Sequence, residues 1–148
     1  MAKKTPKPAT KTKKKGYWGY APDRQIKSKV PDDLKREVQT KADDLVEKVL
    51  KPLYLTPPPE GSEWNYPIEL WTKWYRSFFY FTSTWACPAP NAITPTFENP
   101  FARLEYVGDR KFNLAYFRHT DQWHTIFIKL TLDDCLKLIG EGGPFTLV

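Results

Sequence analysis

The sequence predicts an α+β domain, an antiparallel sheet of about 4–5 strands with an amphipathic helix before it and a short helix after it. Three observations carry this expectation. Apolar residues recur at helical spacing through the thirties and forties, aromatic and β-branched residues crowd the middle of the chain, and two short alternating stretches follow one another near the C-terminus.

The first helix is expected over about residues 32–51. Leu34, Val38, Ala42, Leu45, Val46, Val49 and Leu50 fall on one face, and Pro31-Asp32-Asp33 places acids at the positive end of the dipole. On the other face Asp32/Arg36, Glu37/Lys41, Asp44/Lys48 and Glu47/Lys51 are acid-first pairs four residues apart, the better orientation on a helix. Alternating charge makes this a scaffold face and not a basic recognition helix. Pro52 and then Pro57-Pro58-Pro59 are expected to end it, because proline lacks the donor and restricts its predecessor, leaving 54–63 as a stiff connector.

The aromatic region from Trp64 to Thr82 favours sheet, with one long strand expected over about 73–84. Pro88, Pro90, Pro95 and Pro100 make 87–100 a loop too proline-rich for regular structure. Residues 102–106 and 112–116 then alternate, and they share a face if Leu104 stands opposite Leu114. That register needs a three-residue loop, Gly108-Asp109-Arg110, where Gly-Asp alone suggests two residues. A bulge or loosened turn is expected there. After a reversal at Thr120-Asp121, residues 123–128 carry apolar groups on both faces and should form a central or covered strand. Thr131-Leu132-Asp133-Asp134 resembles a capping box with aspartate in place of glutamate, and Leu132, Cys135, Leu136 and Ile139 continue at helical spacing, with Gly140 as the expected stop.

Charge divides the chain into two parts. The net charge is +6, yet Lys3, Lys4, Lys7, Lys11, Lys13, Lys14 and Lys15 supply seven of the 23 basic residues, with no acid among the first fifteen positions. The remaining sixteen basic residues face 17 acidic ones, so 16–148 carries about −1. Residues 1–15 have almost nothing apolar to bury and should be disordered. A polylysine arm can settle along phosphates and release counterions, and it can equally hold an anionic membrane surface or an acidic protein patch, or only aid solubility. Gly16-Tyr17-Trp18-Gly19-Tyr20 opens the single domain 16–148 as an irregular aromatic segment.

No secretory leader and no apolar run approaching about 20 residues is read in the chain, so the expected setting is cytoplasmic, with no membrane span. Cys87 and Cys135 form no disulfide framework and read as small buried hydrophobes. His119 and His124 have zinc-like spacing, but across a turn and far from either cysteine, so no metal and no cofactor is implied. Arg118-His119-Thr120-Asp121 is the most chemically equipped tetrapeptide; Arg118, His119 and His124 are weak catalytic candidates that lack a nucleophile. Gly140-Glu141-Gly142-Gly143 lacks the lysine of a phosphate loop.

Basic Lys73, Arg76, Arg103, Arg110, Lys111 and Arg118 interleave with Trp71, Trp74, Tyr75, Phe78, Tyr106 and Trp123 along the expected strands. Sheets that set aromatics beside cations stack the bases of single strands. Most of the 23 aromatic side chains belong to the core, but a domain this small should leave several exposed, with Trp18, Trp71, Trp74, Arg76 and Arg103 as the candidate surface.

The run Trp74-Tyr75-Arg76-Ser77-Phe78-Phe79-Tyr80-Phe81, with Pro88-Ala89-Pro90-Asn91-Ala92 and the stretch from Phe101 to Asp109, resembles a family of short bacterial proteins of unknown function. The similarity covers about 16–140 and leaves the lysine tail outside. It implies a bacterial cytoplasmic setting and carries no activity. The expected function is a non-enzymatic accessory protein whose tail associates with DNA or RNA, while the domain presents an aromatic surface to a further partner. A protein-interaction module with a solubilising tail is the alternative, and a small hydrolase or nuclease using His119 and His124 comes third.

Overall fold

The computed structural model describes residues 29–118 and 120–147. The lysine tail, Trp18 and His119 lie outside the described residues. Helix α1 comprises Asp32–Leu45, a π-helical turn Val46–Leu50 and a last turn Lys51–Tyr54. A five-stranded antiparallel meander follows: β1 Tyr66–Tyr75, β2 Phe78–Ala86, β3 Thr96–Tyr106, β4 Lys111–Phe117 and β5 Trp123–Thr131, in the spatial order β1-β2-β3-β4-β5. Helix α2, Leu132–Glu141, and a 3₁₀ turn, Gly143–Phe145, complete an α+β fold.

Both helices pack on one face of the sheet. Leu34, Val38, Ala42, Val46 and Leu50 of α1 meet Leu132, Cys135 and Ile139 of α2 in one buried cluster with Leu70, Phe79, Phe81, Leu104, Phe112 and Leu114 of the strands. The buried α1 positions are four residues apart, and on a helix of 3.6 residues per turn that spacing drifts by about 40° at each step. The wider π turn takes back part of the rotation and keeps Val46 and Leu50 on the core. It also explains why Pro52 does not end the helix. The Lys51 N–H donates to Val46 O in the π pattern, and the chain runs on to Tyr54, with Leu55 N donating to Lys51 O at 2.9 Å. Val49, expected on the core face, is instead exposed. Three of the acid-first pairs close: Glu37/Lys41 at 3.2 Å, Asp44/Lys48 at 2.9 Å and Glu47/Lys51 at 2.6 Å.

The expected strand over 73–84 is two strands. Arg76 and Ser77 reverse the chain, Tyr75 pairs with Phe78, and Arg76 holds φ at 57°. Such two-residue hairpins usually put glycine or asparagine at positive φ, so an arginine there hides the turn from a sequence reading. The expected loop over 87–100 is also shorter, because β3 starts at Thr96 and runs through Pro100. Proline is tolerated there for two reasons. The register slips between Phe81 and Thr82, and β4 pairs only with the stretch from Ala102 to Tyr106, so the first half of β3 is an edge.

Leu104 stands opposite Leu114, and Val107 N donates to Lys111 O at 3.0 Å across a loop of Gly108, Asp109 and Arg110, all at positive φ. Register and loosened turn are therefore as the sequence predicts. The Thr131 hydroxyl accepts from Asp134 N at 3.2 Å, which caps α2. The helix passes through Gly140 to Glu141 and stops at Gly142, whose φ is 91°. A Cβ on Gly140 would lie 3.3 Å from Leu45 Cδ1, so that glycine marks a close approach of α1 and α2.

The expectation for residues 123–128 does not hold. β5 is an edge strand and Ile126, Phe127 and Ile128 are exposed. Its register against β4 slips twice, on either side of Leu114, which turns these side chains away from the regular inward alternation, while Leu130, further along β5, packs against the core. Among the described residues no helix is long and apolar enough to cross a membrane.

Candidate functional site

With both helices on one face, the opposite face of the sheet has no helical cover among the described residues. Strand alternation decides what stands on it. From the register, β1 contributes Trp71, Lys73 and Tyr75, β2 contributes Phe78, Tyr80 and Thr82, β3 contributes Glu98, Arg103 and Glu105, and β4 contributes Lys111 and Phe117, with Trp123 from β5.

Arg103 is the centre of this face. Its guanidinium carbon lies 4.7 Å from the ring centroid of Phe78 and 4.7 Å from that of Trp123. Trp123 in turn lies 5.7 Å from the Tyr80 ring and 5.0 Å from the Phe117 ring, and Phe78 lies 6.2 Å from Tyr80. The result is a continuous cluster of four rings and one cation drawn from four strands. At its β1 side Lys73 Nζ lies 5.5 Å over Trp71, whose indole N–H donates to the Thr84 hydroxyl at 3.0 Å, and Arg76 lies 5.1 Å over the exposed Tyr75. Cation–ring contacts of this kind fix both partners and leave ring edges and outer faces available. A shallow hollow of about 410 Å³ opens on this face between Lys73, Tyr80, Thr82, Pro100 and Trp123.

Of the residues expected on an aromatic and basic surface, Trp71, Arg76 and Arg103 lie on this face or its turn. Trp74 does not, because its neighbours in β1 alternate. It packs on the helix side, edge-on to Phe79 at 5.0 Å and under Lys35. Arg110 is drawn away to Glu37 and Asp33 of α1, and Tyr106 is core. Tyr80 and Phe117 are the members a sequence reading misses. The reversal at Arg76-Ser77 sets Tyr75 opposite Phe78 and Lys73 opposite Tyr80, which brings residues of β1 and β2 onto one face that an unbroken strand would keep apart.

Of the catalytic candidates, His119 lies outside the described residues, and the other two stand in different settings. His124 faces the helix side beside Tyr116, with ring centroids 5.8 Å apart, while Arg118 is exposed on the β4–β5 turn, its N–H donating to Gln122 O at 2.9 Å. Cys135 is fully buried, and burial, helped by the Asp134 charge, pushes its thiol up to about 12. That is the wrong direction for a nucleophile. Among the described residues no group of three His, Cys, Asp or Glu is placed to hold a metal ion.

A second, deeper cleft of about 490 Å³ lies where the sheet splits, between the unpaired half of β3 and the β4–β5 turn. Trp85, Phe97, Phe101 and Phe117 line it, with Arg118 and Asp121 also at its wall. Trp85 and Phe97 are stacked at 6.0 Å with their planes 11° apart.

No curated protein and no solved structure matches the chain. Residues 30–144, the helices and the whole sheet, match the family described as Domain of unknown function (DUF3024), and the chain belongs to that family.

Proposed function

We propose that the chain is a non-enzymatic accessory protein that associates with nucleic acid, its tail lysines gripping phosphate without sequence preference and its open sheet face supplying a stacking surface. The observation that carries this reading is the cluster of Arg103 with Phe78, Tyr80, Phe117 and Trp123 on a face with no helical cover among the described residues. Aromatic rings braced by a guanidinium offer bases a flat apolar surface, and Lys73 and Lys111 on the same face, with Arg76 on its turn, supply cations for phosphate. The setting that goes with this reading is the bacterial cytoplasm, supported by the family resemblance and by two cysteines that remain free.

The test is fluorescence anisotropy of a labelled oligonucleotide at low salt. Trp123→Ala and Tyr80→Ala should each weaken binding by about 1–3 kcal/mol, the usual contribution of one base–aromatic stack. Unchanged affinity in both variants, with the fold intact by circular dichroism, would remove the sheet face from the account.

A second reading has an observation of its own. The exposed Ile126, Phe127 and Ile128 on edge strand β5 favour a protein-interaction module, since an apolar edge strand is a ready template for another chain.

A further inference from the structure

We propose that the cleft at the split end of the sheet receives one unstacked base of a bound strand, with Arg118 at its phosphate, so that the protein selects single-stranded over duplex nucleic acid. This rests on the nucleic-acid reading and adds a binding pocket and a substrate class to it.

The cleft exists because β3 outruns β4. Ladder pairing with β4 stops at Ala102 and Tyr116, so the stretch of β3 from Thr96 to Phe101 has a strand neighbour on one side only, and the β4–β5 turn diverges from it. Its volume of about 490 Å³ is in the range of small-molecule sites, which run from about 300 to 1,000 Å³. The lining suits a planar heterocycle. Phe97 is stacked nearly parallel on Trp85 yet remains 39 % exposed, so a further ring can extend the stack.

The stack is held in place before any ligand arrives. The Trp85 indole N–H donates to the Ser83 hydroxyl at 2.8 Å, and that hydroxyl donates to Asn99 O at 2.7 Å, with Ser83 fully buried. Rings fixed in this way lose little freedom on binding. Asn65 and Asn99 line the cleft and can read the hydrogen-bonding edge of a base, and the Asp121 carboxylate can accept from an exocyclic amino group. Asp121 would repel phosphate, which leaves the exposed Arg118 as the position for it.

Continuity with the open face fixes the class of ligand. Pro100 lines both the cleft and the hollow beside Tyr80 and Trp123, and Phe117 lines the cleft while its ring meets Trp123. By strand alternation the stack of Trp85 and Phe97 stands on the helix side of the sheet, with Pro144, Thr146 and Leu147 also on the cleft wall. A strand on the aromatic face therefore reaches it past Pro100 and Phe117, through the gap where β3 and β4 part, and delivers its next base there. Single strands can offer that base directly. A duplex must first unpair and unstack it, which opposes binding.

The experiment uses the full chain with an eight-nucleotide labelled single strand and a blunt duplex of the same length, followed by anisotropy at one fixed low salt concentration. The single strand should bind more tightly, and Phe97→Ala and Arg118→Ala should each weaken it about tenfold while leaving duplex binding unchanged. In the unaltered protein, adenosine 5′-monophosphate should shift the indole N–H resonance of Trp85, which decides the matter if a variant fails to fold. Equal affinity for both forms with neutral variants and an unmoved Trp85 resonance overturns the cleft and leaves the nucleic-acid reading standing. Binding of neither form by the full chain removes both.

Discussion

Cys135 and Cys87 differ in their surroundings, and chemistry should tell them apart. Cys135 is fully buried in the cluster between α1, α2 and the sheet with its thiol held at about 12, whereas Cys87 is half-buried at the start of the loop after β2. In the folded protein Cys87 should react with a thiol reagent at neutral pH and Cys135 should react only after unfolding, as mass spectrometry of timed labelling would reveal. Equal labelling rates would contradict the burial of α2. Glu69 is a milder case. The Lys51 ammonium, reached at 3.0 Å, is the main reason its carboxyl lies below the usual range. A depressed carboxylate stabilises the fold above its unfolded pKa, and that contribution is lost as pH falls through the folded value. Both side chains are substantially solvent-accessible, so Lys51→Ala should cost less than about 1 kcal/mol at pH 7 and make urea denaturation less sensitive to acid.

Elements show where sequence signals suffice and where they fail. The face of α1, the opposition of Leu104 to Leu114 and the Thr131 cap could all be read in advance, because each depends on spacing within a few residues. Thr131→Ala should therefore destabilise the protein by about 1 kcal/mol in a denaturant titration, through the orphaned N–H of Asp134. The failures share a different origin. Arg76 at positive φ, Pro52 beside a π turn and Pro100 on a one-sided stretch of β3 are residues whose usual meaning is overruled by backbone geometry that the sequence does not announce. Strand β5 departs from its expected covered place for a related reason, since two register slips cancel the regular alternation its apolar residues suggest. The candidate surface was legible in type but not in membership. Arg103 and Trp71 could be named from their neighbours, whereas Phe117 needed the true end of β4 and Tyr80 the knowledge of which face of β2 is left uncovered. The apolar edge that remains should make the protein prone to self-association. Ile128→Lys should reduce any concentration-dependent growth in particle size seen by light scattering and leave the melting temperature within a few degrees.

At the scale of the whole molecule charge is divided unevenly along the sequence, with seven lysines in the first fifteen residues and a nearly neutral remainder. Fifteen residues account for all of the excess positive charge, and the family match of 30–144 begins beyond them. On the proposed reading, 16–148 contributes affinity through local chemistry, the cations and rings of the open face, while the tail lysines contribute long-range attraction that salt screens. These two contributions respond differently to ionic strength, and that difference tests the account most directly. Affinity for a labelled single strand should be measured across a salt series for the full chain and for a chain that begins at Gly16. The account predicts a steep loss of affinity with salt for the full chain, with the seven tail lysines adding up to about 5 in log units to the slope if all engage phosphate, and weaker binding with a shallower slope, about 0.7 for each phosphate contact left to Lys73, Arg76, Lys111 or Arg118, once they are removed. No binding by the full chain at low salt would contradict it.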